Sequence, residues 1–535
     1  MTIISSCGPA QQRLAAIWAR VLGLDVAGLG PGDDFFELGG HSLLATQVIA
    51  QVREEFGTET PLRAIFEAPT LAGLAAAVAA EGGGAAAGPA LVPSRREPGA
   101  PLPLSLAQEQ MWALEAGASP PGLFNFTVLH RLGVPVDKDA LRHALAYLVA
   151  RHQVLRTGFG VEAGKPNQVV VPTAEIELAV TDLRSEPAAG RQAELQRLIA
   201  EQEAAVFDLA RPPLARVGLF RLDGRSTCLA VTVDHLICDG TGAAIFVSEL
   251  VAAYEATAAG REPSLPPLAL QFPDFAVWQR AHVTEEVLAR QLEWWAGTLD
   301  GAPLGPAVPF DHFPDAPTRR IASRAVAVGA GTRERLDEVA RATGSTVFTV
   351  AVAAVAALFG RHGATTDVVF STTLSGRNRA EVEGLIGMFS GIGRLRTDLS
   401  GDPPFEVVVA RARERILGMF DNQDIPFMRV RRALLPEFPA DPLGIAAVVP
   451  IEFQYFHTRP QLEAEYFFKG QLHPLSVTLL DDGTAITGEL SYKLDFYEPA
   501  TIDRLAGDLE RLLDAVGTDP SLTFSELPVT PPERR

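Results

Sequence analysis

The stretch Cys228–Gly242, CLAVTVDHLICDGTG, brings together residue types that could do acid–base chemistry. His235 ends an alternating run, Asp239 follows four positions later, and Gly240 and Gly242 flank a threonine. An imidazole can take and return a proton near neutral pH. A carboxylate this close can shift its pKa or cap a following helix. The period of two predicts a strand with Leu229, Val231, Val233 and His235 on one face and Cys228, Ala230, Thr232 and Asp234 on the other. The segment AAIFVSELVAAYEATAAG beyond it has helical spacing and stops at Gly260. His235 is thus expected at a strand end, before a loop and a helix, where catalytic side chains are often displayed. A lone histidine there is more often structural, so the rest of the chain has to decide.

A second candidate is Gly39-Gly40-His41-Ser42. Leu44, Val48, Val52 and Phe56 recur every four residues behind it, and Gly57 supplies a stop. Ser42 would open that helix, its hydroxyl beside backbone N–H groups that favour a phosphate. The ordinary role of such a serine is an N-cap. It is not a nucleophile elbow, because GHSLL lacks the G-x-S-x-G pattern.

The chain has 535 residues, too many for one ordinary core. Its 47% hydrophobic and 21% charged residues describe a soluble globular protein. A formal net charge of −19 argues against a nucleic-acid partner, since phosphate binding needs basic surface. Cys7, Cys228 and Cys238 form neither a metal spacing nor a disulfide framework, so no metal is expected and a reducing cytoplasm is. The N-terminus lacks a signal-peptide pattern. The apolar helix around Ser345–Phe359 is shorter than the ~20 residues that span a bilayer, so no membrane association is expected.

The elements that must position these candidates can be read along the chain. Gln11–Leu22 and Leu71–Ala80 complete a small helical bundle with the Ser42 helix. GGGAAAGPALVPSRREPGA reads as a flexible linker. Strands and helices then alternate, which implies α/β layers. The strand-like segments are Phe124–Leu132, Asn167–Val171, Ala215–Phe220 and Asp367–Thr373, and Pro474–Tyr497 reads as a hairpin turning at Asp481-Asp482-Gly483. Helices are expected after Asp137, at Gly331–Ala342, at Ser345–Phe359 and at Pro499–Val516. The chain after Arg280 reads as an extended connection up to Thr318, and LSGRNRAEVEGLIGMFSGIGRLR as a long loop.

DDFFELGGHSLLATQV resembles the attachment motif of peptidyl carrier proteins of nonribosomal peptide synthetases. LSLAQEQMWAL, RHQVLRTGF, DHLICDG, QFPDFAVWQR, LIGMF and NQDIPF, in this order, resemble the signature motifs of condensation domains of the same synthetases. The resemblance implies a multidomain fold: a small all-α four-helix carrier bundle, then a two-lobed α/β condensation domain with chloramphenicol acetyltransferase-like lobes in a V. It sets the carrier at 8–81, a flexible linker at 82–100, the N-terminal lobe at 101–275, the C-terminal lobe at 276–518, and a linker stub towards an adenylation domain at 519–535.

The resemblance also implies a function. Ser42 would carry 4′-phosphopantetheine with an aminoacyl or peptidyl thioester, placed there by a phosphopantetheinyl transferase. The condensation domain would form a peptide bond with an aminoacyl group on a downstream acceptor carrier, among upstream synthetase domains and a downstream adenylation domain. His235 matches the family's catalytic histidine. Asp239 and Gly240 match its structural aspartate and glycine, and Arg377 is the expected partner of Asp239. The chain departs from the family motif HHxxxDG at Asp234, where a first histidine is usual, and at Ser390–Arg394, where SGIGR replaces a Val-Asn-Thr run. Two alternatives stand beside this reading: ester formation, and a noncatalytic condensation-like platform that recruits a partner.

Overall fold

The computed structural model describes residues 8–81, 90–116, 122–132, 136–224, 226–303, 305–314, 320–434, 451–457, 464–467 and 473–530. The first unit holds α1 (Pro9–Leu22), α2 (Ser42–Phe56), the short α3 (Arg63–Glu67) and α4 (Leu71–Glu81). Leu14, Ile17 and Trp18 of α1 meet Val48 and Val52 of α2 and Leu71 and Leu74 of α4 in one core. Gly57 ends α2 in a left-handed conformation, φ 65°, which a glycine adopts without strain.

The N-terminal lobe follows as β1 (Leu102–Pro103), α5 (Leu106–Ala116), β2 (Asn125–Leu132), α6 (Lys138–Arg151), β3 (Thr157–Glu162), β4 (Lys165–Val170), β5 (Leu178–Asp182), α7 (Ala188–Ala204), β6 (Ala215–Arg221), β7 (Thr227–Asp234), α8 (Gly240–Ala258) and α9 (Phe272–His282). The C-terminal half of the chain holds α10 (Glu285–Leu299), β8 (Ile321–Val328), α11 (Ala330–Ala342), α12 (Val347–Gly363), β9 (Asp367–Leu374), β10 (Gly391–Asp398), α13 (Phe405–Asp421), α14 (Phe427–Leu434), β11 (Ile451–His457), β12 (Ala464–Phe467), β13 (Leu475–Asp481), β14 (Ile486–Lys493) and α15 (Pro499–Thr518).

Each lobe is built on one large sheet, ordered β12-β2-β7-β6-β5 in the first and β10-β9-β11-β13-β14-β8 in the second. β7 is central and buried along its whole length. Leu229, Val231 and Val233 pack with Leu145 of α6 and Phe246 of α8, while Cys228 and Ala230 pack with Leu195 and Ile199 of α7. The two faces expected from the alternation are therefore covered by helices from opposite sides. In the second lobe α12 is apolar all round, as a helix enclosed by other elements must be. Among the described residues no single helix is long and apolar enough to cross a membrane.

Several expected boundaries shift. The linker region 82–100 is anchored in its second half: Leu91 is buried, and Ser94 and Arg96 both bond the Asp274 carboxylate. Residues 82–89 lie outside the described residues. The division at 275/276 falls inside α9, and β12 leaves the C-terminal half to pair with β2 before β13 rejoins the second sheet, so the chain crosses between lobes three times. The stretch 519–535 is not simply a connector: Leu527 and Val529 are buried in the second lobe's core, and Thr523 bridges to Pro404. Residues 531–535 lie outside the described residues. The extended connection after Arg280 contains α10, capped by Thr284, and the glycine-rich loop after Leu374 ends in β10.

Candidate functional site

β7 ends at Asp234, and His235 opens the turn that leads into α8. The His235 backbone N–H bonds the Phe124 carbonyl, and its ring lies 5.2 Å from the Phe126 ring. Its Nδ1 is 2.9 Å from the Cys238 carbonyl oxygen. A carbonyl can only accept, so Nδ1 carries the proton and Nε2 the lone pair. Burial lowers the His235 pKa, opposed by the Asp239 charge and by backbone hydrogen bonds. The turn thus holds a neutral imidazole in one tautomer, the form that can accept a proton. Burial pushes the neighbouring Cys238 thiol well up, which keeps it from acting as a thiolate nucleophile.

Asp239 caps α8 through Gly242 N–H at 2.7 Å. The same carboxylate reaches the other lobe. Arg377 Nη2 donates to it at 3.0 Å, and Phe389 N–H and Ser390 N–H donate at 3.0 and 3.2 Å. Arg377 also bonds the carbonyls of Val382 and Leu385 and lies over the Phe389 ring. This buried cluster ties the turn bearing His235 to the 377–390 loop of the C-terminal lobe. Gly240 is exposed, and a Cβ there would meet nothing within 4 Å. The tight glycine is Gly242, where a Cβ would come within 3.2 Å of the Gly387 nitrogen. It stood in the same motif, and its position inside the following helix was the available signal.

Asp234 is buried and faces away from His235, towards α5. It accepts the Leu236 N–H at 2.8 Å, which closes the turn, and shares a hydrogen bond with the Glu115 carboxyl. Burial, then the Asp234 charge, push Glu115 up to about 8, and burial pushes Asp234 up to about 6. The two acids border a cavity of about 160 Å³ walled by Leu123, Phe124, Val206, Phe207 and Leu209. Nothing near Glu115 in sequence signals this partnership.

Ser42 is the first residue of α2, with His41 as N-cap. Gly39 turns the chain with φ +93°, and a Cβ on Gly40 would strike the Phe35 ring and carbonyl. These two glycines let the serine hydroxyl stand at the helix start. Its Oγ lies 2.9 Å from Thr346 Oγ1, the only hydrogen-bond partner of that hydroxyl among the described residues. An alcohol at a helix N-terminus, bonded by no group of its own bundle, fits a phosphodiester. The carrier is seated on the C-terminal lobe around it. His41 stacks on His457 at 3.6 Å, Arg63 bonds Glu414 and Asp421, Glu59 bonds Arg379, and Leu417 joins the carrier core. A cavity of about 370 Å³ runs along this seam, lined by Ile49 and Arg53 of the carrier and by Trp278, Ile392 and Phe427. Neither Ser42 nor His235 lines it.

Comparison with known proteins follows the same division. The family profile described as condensation domain matches residues 100–535, and that described as phosphopantetheine attachment site matches residues 12–78. A linear gramicidin synthase polypeptide of Brevibacillus parabrevis is 33% identical over 98% of this chain, which spans 7% of that protein's length. The dimodular nonribosomal peptide synthase of Bacillus subtilis (strain 168) is 34% identical over 98% of the chain and 22% of its own length. Among solved structures, the X-domain in complex with OxyB from teicoplanin biosynthesis superposes with a TM-score of 0.73 at 31% identity, over 84% of this chain and all of that one. The first condensation domain of the CDA synthetase gives a TM-score of 0.65 at 22% identity over 81% of this chain and 99% of that one, a likeness of fold. The chain belongs to the condensation-domain family of nonribosomal peptide synthetases, with a phosphopantetheine-attachment unit ahead of the condensation unit.

Proposed function

We propose that this chain forms peptide bonds as a donor-carrier and condensation segment of a larger synthetase. The observation that carries the reading is the fixed neutral tautomer of His235, held by the Cys238 carbonyl on a turn bolted to both lobes. Ser42 is the attachment residue for 4′-phosphopantetheine, which when bound supplies an acyl thioester on a long arm. An α-amine has a pKa near 7.7–8.0, so a useful fraction is already neutral and no strong base is needed. His235 Nε2 orients that amine, takes the proton it sheds as the C–N bond forms, and returns it to the departing sulfur. Asp239 and Arg377 hold the turn, and Gly240 leaves open space at its exposed corner. The partners are an acceptor carrier and adenylation domain downstream, further synthetase domains upstream, and a phosphopantetheinyl transferase. The buried cysteines Cys228 and Cys238, with no disulfide framework in the sequence, support a cytoplasmic setting.

The test loads Ser42 with an aminoacyl-pantetheine, adds a loaded acceptor carrier and follows product by intact mass. His235→Ala is expected to slow condensation by about 10²–10⁴. An unchanged rate removes His235 from the chemistry. Ser42→Ala is expected to gain no mass with transferase and coenzyme A, and a gain moves the attachment elsewhere.

One observation favours a second reading, a recruitment platform. The 31% likeness to an X-domain solved with OxyB coincides with the loss of the first motif histidine at Asp234. A parent chain that yields no product from a broad panel of donor and acceptor pairs, yet retains a partner enzyme on a column, would favour it.

A further inference from the structure

The SGIGR departure from the family motif puts a cation where the fold has no evident use for one. Arg394 is 2% exposed, and none of its three guanidinium nitrogens has a hydrogen-bond partner among the described residues. No described carboxylate forms an ion pair with it. Its contact is the face of the Phe427 ring, 3.7 Å away. Glu452, two strands across through Ser371, acts on it only at a distance, its own oxygens engaged by Thr373 and Ser476. Burial lowers Arg394 to about 9, a direction that records how poorly the charge is compensated. An uncompensated buried charge is costly, and folds retain one chiefly where something pairs with it.

The surroundings say where that partner would come from. Ile392 and Arg394 alternate onto the same face of β10. Ile392 and the Phe427 ring beneath the guanidinium both line the 370 Å³ cavity along the carrier seam. Arg394 itself does not line the cavity, and the Phe427 ring that does lies against its guanidinium. A planar guanidinium stacked on an aromatic face, with its donor edge unspent, suits bidentate recognition of a carboxylate. The phosphate of the cofactor fits less well, since it is fixed to Ser42, which does not line the cavity.

We propose that Arg394 anchors a substrate subsite that takes a carboxylate carried by the acyl group, with Phe427 as its movable wall. The inference rests on the acyl-transfer reading above and adds the substrate class. Calorimetry on the full chain tests it with glutamyl-pantetheine, glutaminyl-pantetheine and glutaminyl-4′-phosphopantetheine. The parent is expected to bind the glutamyl probe at least about tenfold more tightly than the glutaminyl probe. Arg394→Met is expected to lose that preference while holding the glutaminyl probe within about twofold of the parent. Equal affinities in the parent, or a preference that survives in the variant, overturn the proposal. A gain that follows the phosphate of the third probe and vanishes in the variant assigns the anion to the cofactor and also overturns it. Arg394→Met should melt no lower than the parent, because it removes an unpaired buried charge. A clear drop in melting temperature would make Arg394 a structural residue instead. Condensation of neutral acyl groups separates the two readings: its failure in the parent sinks the acyl-transfer function and leaves the binding result standing.

Discussion

Asp234 and Asp239 lie on one turn, both 2% exposed, one on each side of His235, yet they meet opposite surroundings. Asp239 receives a guanidinium and three backbone N–H groups, drawn from two lobes. Asp234 receives one N–H and another carboxyl. The first arrangement satisfies an anion and makes it a joint between lobes. The second disfavours two charges and stores a proton between two acids. Burial alone therefore does not decide what a carboxyl does; the donors that reach it do. The family's histidine position tolerates Asp234 because Glu115 supplies the partner, and His235 faces elsewhere.

The largest test of this contrast is Arg377→Met. It strands a buried carboxylate and is expected to cost about 3–5 kcal/mol, with condensation falling as the 377–390 loop loosens. Asp234→Asn, which keeps a hydrogen-bonding amide beside Glu115, should cost about 1 kcal/mol or less. Denaturant melts of the two variants side by side check the difference. Equal losses would mean that the two carboxyls are not distinct in kind.

A smaller effect is expected from pH. Both acids of the pair are raised, Glu115 to about 8 and Asp234 to about 6. Between the unfolded values near 4 and these folded ones, the native protein holds protons that the unfolded chain has released. The pair's contribution is thus complete in acid and is lost as pH rises through 6 and 8. Glu115→Gln removes that slope while keeping a donor to Asp234. It should gain stability over the parent as pH rises from 5 to 9. Parallel curves of stability against pH for parent and variant would dissolve the shared proton.

The sequence made one half of this contrast visible. His235, Asp239 and Ser42 stand in short motifs whose neighbours set their local geometry. A strand's parity was enough to separate Asp234 from His235. Glu115 was not legible, since it sits on a helix more than a hundred residues away and only the folded sheet brings it to β7. β10 was hidden for a packing reason. Gly391 and Gly393 read as loop residues, yet a Cβ at Gly393 would come within 2.3 Å of the Met419 sulfur, so the glycine is there to let α13 close on the strand. β12 pairs with a strand over three hundred residues earlier, a register that no local pattern encodes. The helix α10 is legible in the sequence: Leu288, Gln291, Trp295 and Thr298 follow a helical period behind a threonine cap.

The same logic of donors reaches the carrier seam, where the contact at Ser42 involves no charge at all. Ser42 Oγ and Thr346 Oγ1 share one neutral hydrogen bond, and such a bond contributes about 0.5–1.5 kcal/mol. It should therefore hold the carrier hydroxyl against the lobe far more loosely than Arg377 holds Asp239. Thr346→Val removes the bond at nearly constant volume and is expected to raise the rate of phosphopantetheine transfer to Ser42 by about two- to tenfold, as the hydroxyl is uncovered more often. Thr346 also caps α12 through Thr349 N–H, so the valine variant should melt slightly lower for a separate reason. Thr346→Ser keeps both the cap and the bond and isolates the two effects: it should load at the parental rate. If the valine variant loads no faster than the serine variant, Thr346 does not cover Ser42 in solution. The ranking from ion pair to acid pair to hydroxyl pair would then end at the second step.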